Sequence, residues 1–176
     1  MQFLSPPPAG QLVGFHRGCL LVAKEEMLYP SEPYAYELFD HRRAIALDDR
    51  ITLIASMEDK ERPGEGEGQN SGLFIGTERS CGVLIGKDPN GFQYIPKMDY
   101  GAIQGTLAYI DGSVFGDNKA GARPLPVWIT TKGLCAGMPQ MEIINLTRTK
   151  FTFPVGNYGA SVFLPEGNRL IMTTSF

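Results

Sequence analysis

The sequence has few of the residues that build metal centres and nucleophilic sites. It contains three cysteines and two histidines in 176 residues, and no two cysteines form a C-x-x-C pair. His16 and His41 do not stand at ligand spacing from the cysteines. We therefore expect Cys19, Cys81 and Cys135 to be small buried hydrophobic residues in a reducing compartment. The alternative is a disulfide or zinc framework.

Long apolar runs and a strong charge imbalance are also missing. No stretch of 18 apolar residues occurs, so we expect no membrane span. The amino-terminal stretch lacks the basic and apolar regions of a secretory signal, and we expect none. The formal charge of −3 argues against a nucleic-acid-binding surface built on net charge. We therefore expect no sequence-specific nucleic-acid partner.

The common catalytic motifs are absent as well. The chain has no G-x-S-x-G elbow, no phosphate-binding G-x-x-x-x-G-K-[ST] loop and no H-E-x-x-H zinc helix. The glycines of 64–68 alternate with glutamates that would repel a phosphate, so this stretch is interpreted as a solvated insertion. We expect no catalytic, cofactor-binding or metal-binding residues, and hence a protein that is not an enzyme.

A few titratable residues remain as weaker candidates. Asp40-His41 and Asp48-Asp49 are the densest clusters, and paired carboxylates can bind a metal or share a proton. In turns between strands such residues more often form the turn and stay solvated. His16 lies in a predicted hairpin turn, where we expect an exposed polar role.

The remaining motifs have structural interpretations. We interpret 111–113 as a tight turn. Trp128 and Phe74 occupy strand positions and are expected in the core. Tyr34, Tyr100 and Tyr158 recur with the repeat described next, which favours a structural role at the edge of each sheet.

What the sequence has in quantity is turn residues, 21 glycines and 13 prolines. Three segments share one pattern, in which a glycine opens a short apolar strand, a polar turn follows and a second apolar strand begins. They are G-C-L-L-V-A (18–23), G-L-F-I-G (72–76) and G-L-C-A-G (133–137). No segment shows sustained helical periodicity. The pattern predicts an all-β protein with repeated short antiparallel sheets, few or no helices and a propeller-like arrangement of three to four blades, the last of them incomplete.

The repeat divides the chain into an extended proline-rich arm, 1–11, and a single all-β repeat domain, 12–176. The repeat units are expected near 12–50, 51–110 and 127–176. An inserted acidic loop, 58–71, interrupts the second unit. A short helical turn is expected within 34–40, a strand near 151–153, and a final hairpin with strands near 159–164 and 169–174.

The order of several short motifs resembles small virion proteins of tailed bacteriophages. The run L-Y-P-S-E-P-Y-A-Y-E-L-F-D (28–40) followed by R-I-T-L-I-A (50–55) is similar to a pattern of those proteins. The similarity covers roughly residues 6–165 and extends to the propeller blades of podovirus tail nozzle (tail tubular) proteins. Its remaining matches lie at 6–12, 17–23, 72–77, 100–102, 126–133, 145–147 and 159–163.

This resemblance implies a structural component of a phage tail, in the nozzle, the neck or on the tail tube. Such a protein is made in the host cytoplasm, resides in the virion tail, and contacts other virion proteins as a homo-oligomer in a ring. It implies no catalytic residue. The acidic loop 58–71 would then be a candidate for the passive lining of a DNA channel, because phosphate contacts are what hold DNA.

One alternative stays open at this point, a receptor- or carbohydrate-binding β module of the virion. Loops 58–72 and 111–126 would form its recognition surface, since loops on a rigid scaffold commonly carry binding. The first loop has no aromatic residue and the second has only Phe115.

Overall fold

The computed structural model describes residues 4–57, 72–86, 91–115, 123–148, 150, 153 and 156–175 of the chain. These residues form an all-β protein made of several small antiparallel sheets, which confirms the predicted all-β class and the short antiparallel sheets. Within the described residues, helical structure is limited to short 3-10 turns, and none of it is long and apolar enough to cross a membrane.

The first sheet contains six strands in the order β1-β5-β4-β3-β2, with β6 paired to β4. A 3-10 turn, His41–Arg43, separates β5 from β6 along the chain. The strands are β1 (Leu4–Ser5), β2 (Leu12–His16), β3 (Cys19–Lys24), β4 (Met27–Glu32), β5 (Ala35–Asp40) and β6 (Ile45–Ala46).

The second and third sheets are meanders of four strands each. The second has the order β10-β9-β8-β7, and the third has the order β11-β12-β13-β14. Further 3-10 turns occupy Gly112–Phe115 and Pro139–Met141. The strands are β7 (Ile51–Met57), β8 (Gly72–Thr77), β9 (Cys81–Ile85), β10 (Gln93–Met98), β11 (Ala108–Asp111), β12 (Pro124–Thr130), β13 (Gly133–Met138) and β14 (Glu142–Asn145).

The last two strands, β15 (Tyr158–Leu164) and β16 (Arg169–Ser175), form a separate two-stranded sheet. They lie where the final hairpin was predicted. In the part of the chain that the structure describes, the four sheets do not close into a barrel or a propeller.

The structure differs from the sequence predictions at two strands, and two further predictions lie at least partly outside the described residues. The short helical turn expected within 34–40 is wrong, because Ala35–Asp40 is strand β5, which pairs with both β1 and β4. Strand β11 was not marked by the repeat pattern, yet it pairs with β12 along its whole length. The strand expected near 151–153 lies mostly outside the described residues, as does the acidic loop 58–71.

Two clusters of buried side chains hold the sheets together. The smaller cluster joins the first and second sheets and includes Leu21, Leu28 and Ile54. Gly14 of β2 lies so close to β7 that a Cβ there would come within 2.3 Å of Ile54 Cγ2. The absence of a side chain at this position therefore lets the two sheets approach each other.

The larger cluster joins the second and third sheets with the terminal hairpin. Phe74 and Trp128 are fully buried in it, with ring centroids 6.0 Å apart. Both residues are therefore core residues, as predicted. Phe163 and Met172 of the hairpin pack against the same cluster. The second sheet thus contributes to both clusters, and the hairpin packs against the larger one.

Candidate assembly surface

The terminal hairpin presents two different faces because side chains alternate across a strand. Its strands pair in continuous register from Tyr158 opposite Ser175 to Leu164 opposite Arg169. In both strands, exposed residues alternate with half-buried ones along all seven positions. The turn that joins them uses left-handed backbone at Gly167 and Asn168. One face therefore packs on the protein, and the other faces outward.

The inward face is held by backbone contacts as well as by apolar packing. The Ser161 hydroxyl donates a 2.7 Å hydrogen bond to the carbonyl of Leu107. The amide of Gly159 donates a 2.8 Å bond to the carbonyl of Gln104. Gly105 has a φ of +85°, and a Cβ there would lie 2.1 Å from the carbonyl oxygen of Gly159. The hairpin thus packs against the segment around Gly105, a position at which only glycine fits.

The outward face of the hairpin is rich in apolar side chains. Val162 stands directly opposite Ile171 across the two strands, and both are exposed. Tyr158 and Leu164 extend the same face and are exposed too. Within the described residues, β16 pairs only with β15, so its other edge carries unpaired backbone groups. An apolar face beside an open edge is a typical surface for pairing with another chain.

A second exposed apolar group lies on the first sheet. Phe15 and Tyr36 make an edge-to-face contact with centroids 5.5 Å apart, and Val13 is exposed beside them on β2. Tyr34 is 81% exposed and has a φ of 61°, while its amide donates a 2.7 Å bond to the carbonyl of Gly18. A non-glycine residue in this conformation is strained, and here it holds an aromatic ring at the surface.

These two groups, Val13, Phe15, Tyr34 and Tyr36 on the first sheet and Tyr158, Val162, Leu164 and Ile171 on the hairpin, are together called the assembly surface below. The two segments of the sequence that contain these groups differ in formal charge. Residues 1–50 contain five basic and seven acidic residues, whereas residues 101–176 contain six basic and four acidic ones. The two regions thus carry formal charges of −2 and +2, which favours contact between one region and the other.

The cysteines agree with the prediction of small buried hydrophobic residues. All three thiols are free and buried. Burial raises the pKa of Cys81 to about 12 and also raises the pKa values of Cys19 and Cys135. Thiols in this state are neither good metal ligands nor good nucleophiles.

The expectation of an exposed role for His16 is wrong. Its side chain is only 5% exposed, because His16 ends β2 on the face that packs against β7. Its Nδ1 lies 2.7 Å from the hydroxyl oxygen of Ser56. Burial, with a smaller contribution from Arg17, lowers the pKa of His16 to about 4. The imidazole is therefore neutral at pH 7 and belongs to the interface between two sheets.

Asp40 and the residues around it form a structural ion-pair group. Arg42 donates bonds of 2.9 and 2.7 Å to the Asp40 carboxylate, which also accepts from the Arg42 amide at 3.1 Å. These hydrogen bonds hold the pKa of Asp40 at about 2. Arg43 pairs with Glu32 at 2.8 Å, and the ring of His41 packs on Tyr29. The carboxylate therefore caps a 3-10 turn.

The two carboxylates of the second acidic pair, Asp48 and Asp49, have different surroundings. Asp49 accepts a 2.7 Å hydrogen bond from Arg79, whereas Arg50 lies 3.5 Å from Glu25. Asp48 is exposed. No group of three or more metal-ligating side chains occurs among the described residues.

The remaining sequence candidates fall into two groups. Asp111 accepts a 2.9 Å bond from the amide of Ser113, as expected for a tight turn. The glycine-rich stretch 64–68 and the loop residues 116–122 lie outside the described residues, as does the side chain of Phe115.

The recurring tyrosines do not share one environment. Tyr34 and Tyr158 are exposed, whereas Tyr100 is half-buried, accepts a 3.2 Å bond from Asn145 and lies under the ammonium of Lys132 at 5.0 Å. The sequence analysis did not single out Val13, Phe15, Val162 or Ile171. The sequence did contain a signal for Val162 and Ile171. Segments 158–164 and 169–175 carry apolar residues on both faces, whereas a half-buried strand needs them on one face only.

No protein-family model matches the chain, and no curated protein matches it.

Proposed function

We propose that the protein is a non-enzymatic structural component of a bacteriophage tail, located in the nozzle, the neck or on the tail tube. It assembles into a homo-oligomeric ring and contacts other virion proteins. The phage assignment rests on the sequence resemblance described above. The assembly role rests on one structural observation, the apolar outward face of the terminal hairpin beside an edge of β16 that pairs with no described strand.

The arrangement of sheets supports the same role. Three small antiparallel sheets follow one another along the chain and share two cores, as the blades of a propeller-like unit do. In this proposal a neighbouring chain completes the incomplete unit that the hairpin begins. The neighbour would supply a strand to β16 and an apolar surface to Val162 and Ile171.

The two parts of the assembly surface also suit a head-to-tail contact. They lie on different sheets, differ in composition and are embedded in regions of opposite formal charge. A contact between two different patches of identical chains closes into a ring when the rotation between copies permits. A head-to-tail contact of this kind would suit the ring that we propose for the tail.

The test is the mass of the purified chain by light scattering, measured over a range of concentrations and again after mixing with fractionated tail proteins. We expect a ring-sized oligomer or a stable complex with a tail protein. A chain that stays monomeric under both conditions would refute the proposal.

A variant locates the interface. Val162→Lys places a charge at the centre of the outward face and should abolish or strongly weaken assembly, because the lysine would be desolvated in the contact. The matched control is Val114→Lys, since Val114 is 47% exposed against 49% for Val162 and lies outside the hairpin. Equal loss of assembly in both variants would contradict this choice of surface.

A further inference from the structure

Strand β16 has one edge that no strand of the described part of the chain covers. Its seven residues, Arg169–Ser175, pair with β15 on one side in continuous register. On the other side they pair with no described strand. Such an edge is a row of backbone donors and acceptors that can pair with a strand of another chain.

The sequence of β16 lacks the features that natural proteins use to block an open edge, which include proline, lysine and bulges. It reads R-L-I-M-T-T-S and contains no proline, no lysine and no acidic residue, and its pairing with β15 has no bulge. Strand β10 at the edge of the second sheet is different. It contains Pro96 and Lys97, and its register shifts between Pro96 and Met98. The edge of β16 is therefore unprotected, whereas that of β10 is blocked.

The other strand edges narrow the choice of partner. β2 lies against β7, β11 lies against β15, and β10 contacts β14, so these edges face neighbours within the chain. β1 has only two residues, and a register shift interrupts the pairing of β5 with β4. Among the strands that the structure describes, only β16 combines an open edge with seven regular residues. The strand that matches this edge is thus β16 of a second copy.

Charge and length decide the orientation of such a pair. Arg169 is the only charged residue of β16. A parallel pair in register would place Arg169 beside the same residue of the second copy, and like charges side by side destabilise a sheet. An antiparallel pair centred on Met172 instead places Arg169 opposite Ser175, and Ile171 opposite Thr173. This is the one antiparallel register that pairs all seven residues.

The alternation of side chains agrees with this register. In β16 the odd-numbered residues are exposed and the even-numbered ones are half-buried. A pair centred on Met172 joins odd-numbered residues to odd-numbered ones, so the outward face of one copy continues into the outward face of the other. A slip by one residue would place exposed side chains beside half-buried ones.

We propose that β16 pairs with β16 of a second copy, antiparallel and centred on Met172, so that two hairpins form one four-stranded sheet. The inference rests on the proposed assembly role, because it names the strand that the neighbouring chain supplies. The contact is two-fold and uses the edge of the hairpin. Its outward face therefore stays available for the head-to-tail contact, and the two contacts together would join two rings.

The test is disulfide cross-linking between two variants of the full chain, Arg169→Cys and Ser175→Cys. They are mixed as dilute reduced proteins, concentrated and mildly oxidised, and the products are weighed by mass spectrometry without reduction. The native thiols are buried, so the introduced ones react. Opposite Cβ atoms in an antiparallel pair lie about 4.5–5.5 Å apart. We therefore expect about tenfold more mixed dimer than either self-dimer, whereas random collision gives about twofold more.

The matched control mixes Thr173→Cys with Ser175→Cys, which lie on the same exposed face of the same strand. In the proposed register these two positions are four residues out of step, roughly 13 Å along the strand, so the mixed dimer should not exceed the random ratio. An equal excess in both mixtures would overturn the register.

The unmodified chain separates this inference from the proposed function. If light scattering shows assembly but the first mixture gives no excess of mixed dimer, the pairing of β16 is overturned and the assembly role stands. If the chain stays monomeric and no excess forms, both are overturned. If cross-linked dimers form but no larger species does, the pairing stands and the ring is overturned.

Thr173→Lys tests the same edge without a disulfide. It adds the kind of charge that blocks natural strand edges, at an exposed position outside the assembly surface. We expect the dissociation constant of the β16 pair, measured by sedimentation, to rise about tenfold. Thr173→Val is the control, because it keeps a β-branched side chain without charge, and its dissociation constant should match that of the unmodified chain. Equal dissociation constants for the lysine and valine variants would contradict the pairing.

Discussion

At the scale of single residues, the side chain with the clearest energetic consequence is His16. It is a neutral imidazole enclosed between two sheets, with a pKa of about 4 instead of 6.5. The unfolded chain binds a proton at this residue between pH 6.5 and pH 4, whereas the folded chain does not. The contribution of His16 to the free energy of unfolding is therefore complete above pH 6.5 and declines as the pH falls toward 4.

We predict that His16 alone makes the protein less stable by about 3 kcal/mol at pH 4 than at pH 7. Urea unfolding at a series of pH values measures this dependence. In His16→Gln, which cannot titrate, the part of the slope between pH 6.5 and 4 that is due to His16 should disappear, although the variant is less stable at pH 7. An unchanged slope would show that the pKa of His16 is the same in the folded chain as in the unfolded chain.

The burial of His16 also shows what local sequence cannot reveal. Phe15-His16-Arg17-Gly18 has the composition of a hairpin turn, and it does form one. The environment of the imidazole is decided by Ser56, 40 positions later, when β7 packs against β2. A pattern within one segment carries no information about such contacts.

At the scale of elements, the hairpin depends on the close contact of two glycines. Gly105 needs a positive φ and no Cβ, because the carbonyl of Gly159 lies where a side chain would start. We predict that Gly105→Ala lowers the free energy of unfolding by about 2–4 kcal/mol, from backbone strain and overlap together.

Gly91→Ala is the matched control for this prediction. A Cβ at Gly91 would meet nothing within 4 Å, and its φ lies outside the left-handed region. We expect a change of at most about 1 kcal/mol there. Chemical denaturation of both variants measures the difference in the free energy of unfolding. Equal effects would contradict the close contact between Gly105 and Gly159 of the hairpin.

Strand prediction worked where a glycine-led repeat marks both strands of a hairpin. The glycine-led repeats placed the hairpins β3–β4, β8–β9 and β13–β14, because the local pattern of turn and apolar residues determines such pairs. β5 and β11 were missed for different reasons. β5 follows the sequence S-E-P-Y, which favours a turn, and it pairs both with β4 and with β1, which is remote in sequence. β11 has only four residues, too few for a periodic signal.

At the scale of the whole molecule, stability is distributed unevenly among the sheets. Every residue of β8 is buried, whereas no residue of β15 or β16 is. We predict that amide hydrogens of β8 exchange with solvent more slowly than those of β16 by orders of magnitude. Hydrogen exchange followed by mass spectrometry tests this. On assembly, β16 should become protected while β8 stays unchanged, and loss of protection in β8 would indicate rearrangement instead of docking.

The three free cysteines provide internal reporters of how the molecule opens. Cys19 lies in the first sheet, Cys81 in the second and Cys135 in the third, and each thiol is buried. A thiol reagent can therefore label a cysteine only when its own sheet opens. The sequence thus carries one chemical reporter of opening in each of the first three sheets. Simultaneous labelling of all three would mean that the sheets open as one cooperative unit, and labelling in sequence would give the order in which the units separate.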